Sequence, residues 1–287
     1  MSSAPILLHD HTGPDGWWRQ ARMAADPALT PGIRHFADYA EGGTVFTARR
    51  ELPHPEPVLI INLGAPIAIT DGRGRRTTFA AGEGFIAGLD EAPAISESSG
   101  EQQGIQVALS PLAAGQLLGR PVGELTSEVV ALDTLFGAAA RDLGARLLAA
   151  PDPAARIAAI EHFAAPRLHD AIPAPPEIAW AWRQLQAAPA RDIASLVAHT
   201  GWSHRRFIDR FRAHIGLSPR RFASIVRFDR LIQRATTPGG AGWAALAVDA
   251  GYFDQPHMVR DFTRYAGITP GEWLARLVAD GGGLAER

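Results

Sequence analysis

Arginine supplies most of the chemistry that this chain can perform. All 28 basic residues among 287 are arginines, set against 30 acids and 10 histidines. A guanidinium holds five donors in a planar fork that matches phosphate and other two-oxygen acceptors. The arginines are unevenly placed. Residues 1–174 carry 13 of them against 20 acids, a net of −7, whereas residues 175–287 carry 15 against 10, a net of +5. Within that half, residues 191–234 hold 10 arginines and 3 aspartates, a net of +7. Such a stripe points to a polyanionic partner, and the competing reading is a solvated arginine-rich surface.

Other chemistries are thinly supplied. The chain has no cysteine, which excludes disulfides, thiolate metal sites and cysteine nucleophiles and fits a reducing cytosol. Between residues 40 and 110 the only histidine is His54, flanked by Pro53 and Pro55, while a metal centre needs clustered imidazoles and a carboxylate. His9 and His11 read as a chance pair near the N-terminus. Glu83 and Glu97 read as solvated acids at strand or turn edges, and no Gly-x-Ser-x-Gly elbow or phosphate loop is present. No catalytic residue, metal or cofactor is therefore assigned.

The elements that position the arginines occur twice. IASLVAHTGWSHRRFIDRFRAHIGLSPRRF starts at Ile193, and WAALAVDAGYFDQPHMVRDFTRYAGITPGEWL starts at Trp243. Ala194, Leu196, Gly201 and Trp202 recur fifty positions later as Ala244, Leu246, Gly251 and Tyr252. One inserted residue then makes the offset fifty-one, so that Ser203, Phe211, Gly216, Ser218, Pro219 and Phe222 recur as Asp254, Phe262, Gly267, Thr269, Pro270 and Trp273. Each copy predicts a short helix, a turn at Gly201 or Gly251, a capping residue at Ser203 or Asp254, and a second helix that buries Phe207 and Phe211, or Met258 and Phe262. Helix, tight turn and helix at this length make a helix-turn-helix. Phe228, Leu231 and Ile232 predict a long connecting helix from Ser218-Pro219 to Pro238.

Two such motifs in tandem, each closing on Gly-x-[Ser/Thr]-Pro and an aromatic, resemble the AraC-type family of bacterial transcription regulators. The signature lies in the second copy, GY-x-DQ-x-H-x-x-RDF-x-x-x-x-G-x-TP-x-x-W from Gly251 to Trp273. The resemblance is close over about the last hundred residues and architectural over the first 170. It implies that recognition helices 203–214 and 254–265 enter successive major grooves on one side of promoter DNA. The DNA-binding candidates are Ser203, His204, Arg205, Arg206, Asp209 and Arg212 in the first copy. In the second they are Asp254, Gln255, His257, Val259, Arg260 and Arg264.

Side-chain chemistry then suggests roles. Arg205 and Arg260 can pair with guanine O6 and N7, Gln255 with adenine, Asp209 with cytosine N4, and Ile208 or Val259 with a thymine methyl. The flanking arginines suit phosphates. Asp209 has a second reading as a partner of Arg205 or Arg206 on its own helix. Arg210, beside the buried Phe211, reads as a bystander. Pro256 suits the first turn of a helix but cannot read a base edge by hydrogen bonding.

The first half has a different texture. Residues 1–40 read as aromatic loop, with Trp17, Trp18, Pro27, Pro31 and Gly32. From Thr44, runs such as TVFTARREL, PVLIINLG, PIAIT, RTTFAAG, GFIAGL and GIQVALS are short, rich in Val, Ile, Thr and Phe, and punctuated at about ten-residue spacing. Asp71-Gly72 marks a hairpin between PIAIT and RTTFA. These runs predict a sandwich or small barrel. Its interior is either a small-molecule cavity or a packed core, and Tyr39, Arg49 and Arg50 are the effector-binding candidates. From Pro111 the pattern is helical, with Leu132, Leu135 and Phe136, Leu143, Leu147 and Leu148, and Ile157, Ile160 and Phe163 near helical spacing. Those helices either pack on the barrel or form a homodimer seam.

The expected fold is α+β in two domains. Residues 1–110 form a cupin-like β sensory domain, 111–170 a helical segment open to dimerisation, 171–176 a linker in AIPAPP, and 177–287 an all-α domain with two helix-turn-helix motifs. Neither a signal peptide nor a run of eighteen apolar residues is seen, so a cytoplasmic, nucleoid-associated protein with no membrane partner is expected. The leading reading is a sequence-specific regulator of transcription modulated by a small molecule, a possible homodimer that meets RNA polymerase if it activates. The alternative is a metal-free barrel binding protein or enzyme tethered to DNA by its C-terminal domain.

Overall fold

The computed structural model describes residues 7–13, 16–26, 29, 32–43, 48–236, 242–277 and 284–286. Ten strands come first: β1 (Leu7–Gly13), β2 (Gly16–Ala24), β3 (Ile33–Gly42), β4 (Ala48–Glu51), β5 (Val58–Asn62), β6 (Ile67–Thr70), β7 (Arg76–Phe79), β8 (Gly84–Ala87), β9 (Ala94–Glu97) and β10 (Gln102–Leu109). Helix α1 (Pro111–Leu118), a 3-10 turn at Val122–Leu125, strand β11 (Val129–Ala131), α2 (Leu132–Phe136), α3 (Ala138–Ala149) and α4 (Pro153–His169) complete the N-terminal part. Residues 170–175 join α4 to α5 without a helix or strand.

The strands form a seven-stranded sheet in the order β1-β2-β3-β10-β5-β8-β11 and a four-stranded sheet in the order β4-β9-β6-β7, a two-sheet sandwich. Three of these strands fall where the sequence reads as loop. β1, β2 and β3 occupy residues 7–42 and pair antiparallel, with Met23 opposite Phe36 in the register of β2 and β3. In β2 the buried Ala21 and Met23 alternate with exposed Arg22 and Ala24, a period-2 pattern hidden by its polar and small residues. Pro27, Pro31 and the start of the run at Thr44 lie outside the described residues. The hairpin at Asp71 joins β6 to β7, and the Asp71 carboxylate accepts from the backbone N–H of Arg73 at 3.0 Å and of Arg75 at 2.9 Å.

Alternation along β5 sends Leu59 and Ile61 to one face and Ile60 to the other. Leu59 and Ile61 join Phe36, Ile105 and Val107 in a core completed by Leu143 and Leu147 of α3 and Ile157, Ile160 and Phe163 of α4. The apolar stripes of the helical segment are thus laid on the large sheet. Ile60 instead packs in the smaller core between the sheets, with Ile67, Ile69, Phe79, Phe85 and Val129.

The C-terminal part is all helix: α5 (Pro176–Ala187), α6 (Ile193–Thr200), α7 (His204–Ile215), α8 (Pro219–Ala235), α9 (Trp243–Ala250), α10 (Gln255–Ala266) and α11 (Pro270–Arg276). α8 ends at Ala235, and Pro238, the expected stop, lies outside the described residues. One continuous core runs through both repeats, from Phe207 and Phe211 through Phe222 and Phe228 to Phe262 and Trp273. Phe228 stands edge-on to Phe262 at 5.4 Å, and Phe262 to Trp273 at 5.8 Å. No helix among the described residues is long and apolar enough to cross a membrane.

Candidate nucleic-acid interface

The two candidate reading helices are built alike. α6 ends on Gly201 at φ 67 and α9 ends on Gly251 at φ 91, left-handed conformations that a side chain disfavours. Ser203 Oγ accepts from the Arg206 N–H at 3.3 Å, and Asp254 Oδ1 accepts from the His257 N–H at 2.7 Å, so each second helix begins on a side-chain cap. Beyond the caps, Phe207, Phe211 and Ile215 of α7 and Met258, Phe262 and Tyr265 of α10 are buried. This periodicity turns the intervening polar residues outward.

The DNA-binding candidates separate into three kinds of environment. His204, Arg205, Arg206, Asp209 and Arg212 of α7 and Gln255 and Arg260 of α10 are exposed. Arg205 Nε lies 3.8 Å from Asp209, in a pair 94% and 70% exposed, and the Arg206 guanidinium lies over Trp202 at 4.8 Å from its ring centre. A pair that open to water holds neither side chain firmly. A second group is tied within its own domain. Ser203 and Asp254 serve as caps, and His257 stands edge-on to Tyr252 at 5.3 Å with Nε2 3.6 Å from Asp261. Asp261 in turn accepts from Ser224 Oγ at 2.7 Å. Val259, like Ile208 one repeat earlier, is half-buried against the domain core.

The third kind of environment is contact with the other domain. Arg264 is ion-paired to Glu91, whose second carboxylate oxygen lies 2.8 Å from Arg221 at the start of α8. Glu91 follows β8 in an Asp-Glu-Ala-Pro loop that offers no periodicity to sequence reading, and its role emerges only when the domains are packed. Nearby, Thr126 Oγ1 donates to the Gly216 carbonyl at 2.7 Å. Gly123 lies so close to α7 that a Cβ there would stand 2.7 Å from the Arg212 carbonyl. His54 Nε2 approaches Asp229 of α8 at 3.5 Å. Burial pushes the Asp229 carboxyl above its usual range, while the nearby His54 pulls it back. His214, near the end of α7, is held below the usual imidazole range by burial and by Arg210.

The three effector candidates are also divided. Tyr39 of β3 is half-buried, and desolvation together with Glu41 and Glu51 pushes its phenol well above the ordinary range. Its register partner is Gly104, where a Cβ would lie 2.7 Å from the Tyr39 oxygen, so the glycine makes room for the phenol. Arg49 of β4 bonds Glu41 through Nη2 at 2.5 Å. Next to them Ser96 Oγ donates to Glu51 at 2.7 Å. Arg50 points elsewhere, its Nε and Nη2 each 2.6 Å from the Glu286 carboxylate and its Nη1 3.1 Å from the Ala266 carbonyl at the end of α10. Tyr39 and Arg49 therefore share one acidic neighbour, and Arg50 belongs to the junction between the domains. Among the described residues no group of three or more His, Asp or Glu side chains could hold a metal ion.

Comparison with known families matches residues 196–276 to a model described as a helix-turn-helix domain. Residues 21–131 match one described as a domain of unknown function (DUF6597). No curated protein matches the chain. Among solved structures, a single-residue variant of ToxT from Vibrio cholerae in its apo form is similar at 11% identity and a TM-score of 0.52, over 89% of this chain and 100% of that one. A second crystal form of ToxT from Vibrio cholerae gives 10% identity and 0.51, over 97% and 100%. Wild-type ToxT from the same species, solved with an unsaturated fatty acid bound, gives 10% and 0.50 over 100% of both chains. At these identities the likeness establishes the shared two-domain fold.

Proposed function

From the premise that residues 196–276 form an AraC-type helix-turn-helix domain, we propose that this protein is a sequence-specific regulator of transcription. It reads promoter DNA with α7 and α10 in successive major grooves. The observation that carries this reading is the presentation of Arg205 and Arg260 on exposed faces of two helices with matching caps and matching buried stripes. Arg205, Gln255 and Arg260 suit base edges, and His204, Arg206 and Arg212 suit phosphates that fix the register. Ser203 and Asp254 act as caps that aim the helices, with backbone N–H groups turned toward the phosphates.

The N-terminal sandwich receives a small molecule through the surroundings of Tyr39 and Arg49. The shared fold with ToxT, one form of which holds an unsaturated fatty acid, supports an effector role, and the Arg49–Glu41 pair supplies a polar group for it to engage. The Glu91 contacts with Arg221 and Arg264 offer a route from that domain to the reading helices. The protein works in the cytoplasm on the nucleoid and meets RNA polymerase if it activates.

A mobility-shift assay on the DNA upstream of its own and neighbouring genes tests the reading. Arg205→Ala and Arg260→Ala should each weaken binding by about 1–3 kcal/mol at physiological salt. Binding by the double variant equal to that of wild type would remove the groove assignment.

A further inference from the structure

The two repeats differ at one place in their turns, and the difference is an aromatic ring. Gly201 and Ser203 are separated by Trp202 alone, whereas Gly251 and Asp254 are separated by Tyr252 and Phe253. Tyr252 is buried in the position that Trp202 partly fills, at 4% exposure, with the Arg227 guanidinium 5.6 Å from its ring centre. Phe253 is therefore the inserted residue, and the core has no place for it. It is 90% exposed, the most exposed large apolar side chain on the described C-terminal helices and turns.

The insertion does not disturb the helix that follows. Asp254 still caps α10, and Met258 and Phe262 still lie in the core. What it adds is an apolar ring immediately ahead of the N-cap and two residues from the exposed Gln255. In a helix-turn-helix the N-terminal residues of the second helix are those that reach base edges. An aromatic ring in the turn directly ahead of those residues can cover the methyl group of a thymine, the one apolar feature of the major-groove edges.

We propose that Phe253 is a base-contacting, specificity-determining residue that packs against a thymine methyl at the border of the segment read by Gln255 and Arg260. The assignment rests on the regulator reading above. It makes the second half-site more dependent on thymine than the first, because the first turn has no equivalent ring.

The full-length wild-type chain, F253A, F253L and Q255A are each used to select sites from a randomised duplex library. Wild type should enrich a two-part site. F253A should lose a thymine preference at a step bordering those that Q255A relaxes, while F253L, which keeps an apolar group, should retain most of it. Replacing that thymine with deoxyuracil removes only the methyl group, and should weaken wild-type binding about fourfold while leaving F253A binding unchanged. If F253A selects the same bases at the same frequencies, or loses as much as wild type to the uracil change, the Phe253 assignment falls and the regulator reading stands. A wild-type chain that enriches nothing removes both. Unchanged selection by F253A combined with lost transcription from a promoter carrying the site would make the ring a protein contact, which also overturns the assignment.

Discussion

At the scale of single residues, side chains that look alike in sequence have separate tasks. Asp254 and Gln255 are adjacent and both exposed, yet the first is occupied by the His257 N–H and the second is available to a ligand. Asp254→Ala should therefore lower the unfolding free energy by about 1 kcal/mol in urea titration. Its base preference should remain that of wild type, and a changed preference would make Asp254 a reader. His214 supplies a test in pH. Its folded-state pKa lies below the ordinary imidazole value near 6.5, so on acidification the unfolded chain takes up a proton before the folded chain does. Stability then rises with pH between the depressed value and about 6.5, and it falls as the pH drops through that window. His214→Gln should reduce the fall in urea midpoint between pH 7 and pH 5, and an identical fall in the variant would count against this account.

At the scale of elements, the reading helices are held by their buried stripes and by the glycines before them. Phe262 touches Phe228, Trp243 and Trp273 and is fully buried, so Phe262→Ala should destabilise the domain by about 3–5 kcal/mol. Such a loss would be seen as early unfolding of the C-terminal helices in hydrogen exchange. Gly201 meets a gentler limit. A Cβ there would meet no atom within 4 Å, so Gly201→Ala should cost only the strain of its left-handed backbone, roughly 1 kcal/mol. The helices themselves are legible in sequence because caps, periodic apolar residues and left-handed glycines are local signals. β1 and β2 are not legible in that way. β1 buries no residue and β2 buries only Ala21 and Met23, and their place in the sheet is set by pairing, β1 to β2 and β2 to β3, rather than by a run of β-branched side chains.

For the whole molecule, the packing of the sandwich against the helices decides which arginines are available. Glu91 holds Arg221 and Arg264 together, and DNA phosphate would compete with it for both. Glu91→Gln should raise DNA affinity about two- to fivefold, the scale of partly exposed ion pairs, and should make the 170–175 connection more open to protease. Unchanged affinity in the variant would leave the contact with a purely structural role. The salt dependence of binding gives a separate check on Arg212, whose removal should lower the slope of log K against log salt by about one.

The amino-acid order alone determines the double motif, its caps, its buried aromatics and the basic stripe, since each depends on residues within a few turns of one another. It also determines the strand character of most of residues 48–110, where β-branched runs alternate between turn residues. Tertiary structure decides the rest, because a charge finds its partner by proximity in space. Only the folded chain pairs Arg264 with Glu91, a separation of 173 residues, and Arg50 with Glu286 across 236. Those two contacts give one DNA-binding candidate and one effector candidate carboxylate partners at the junction of the domains.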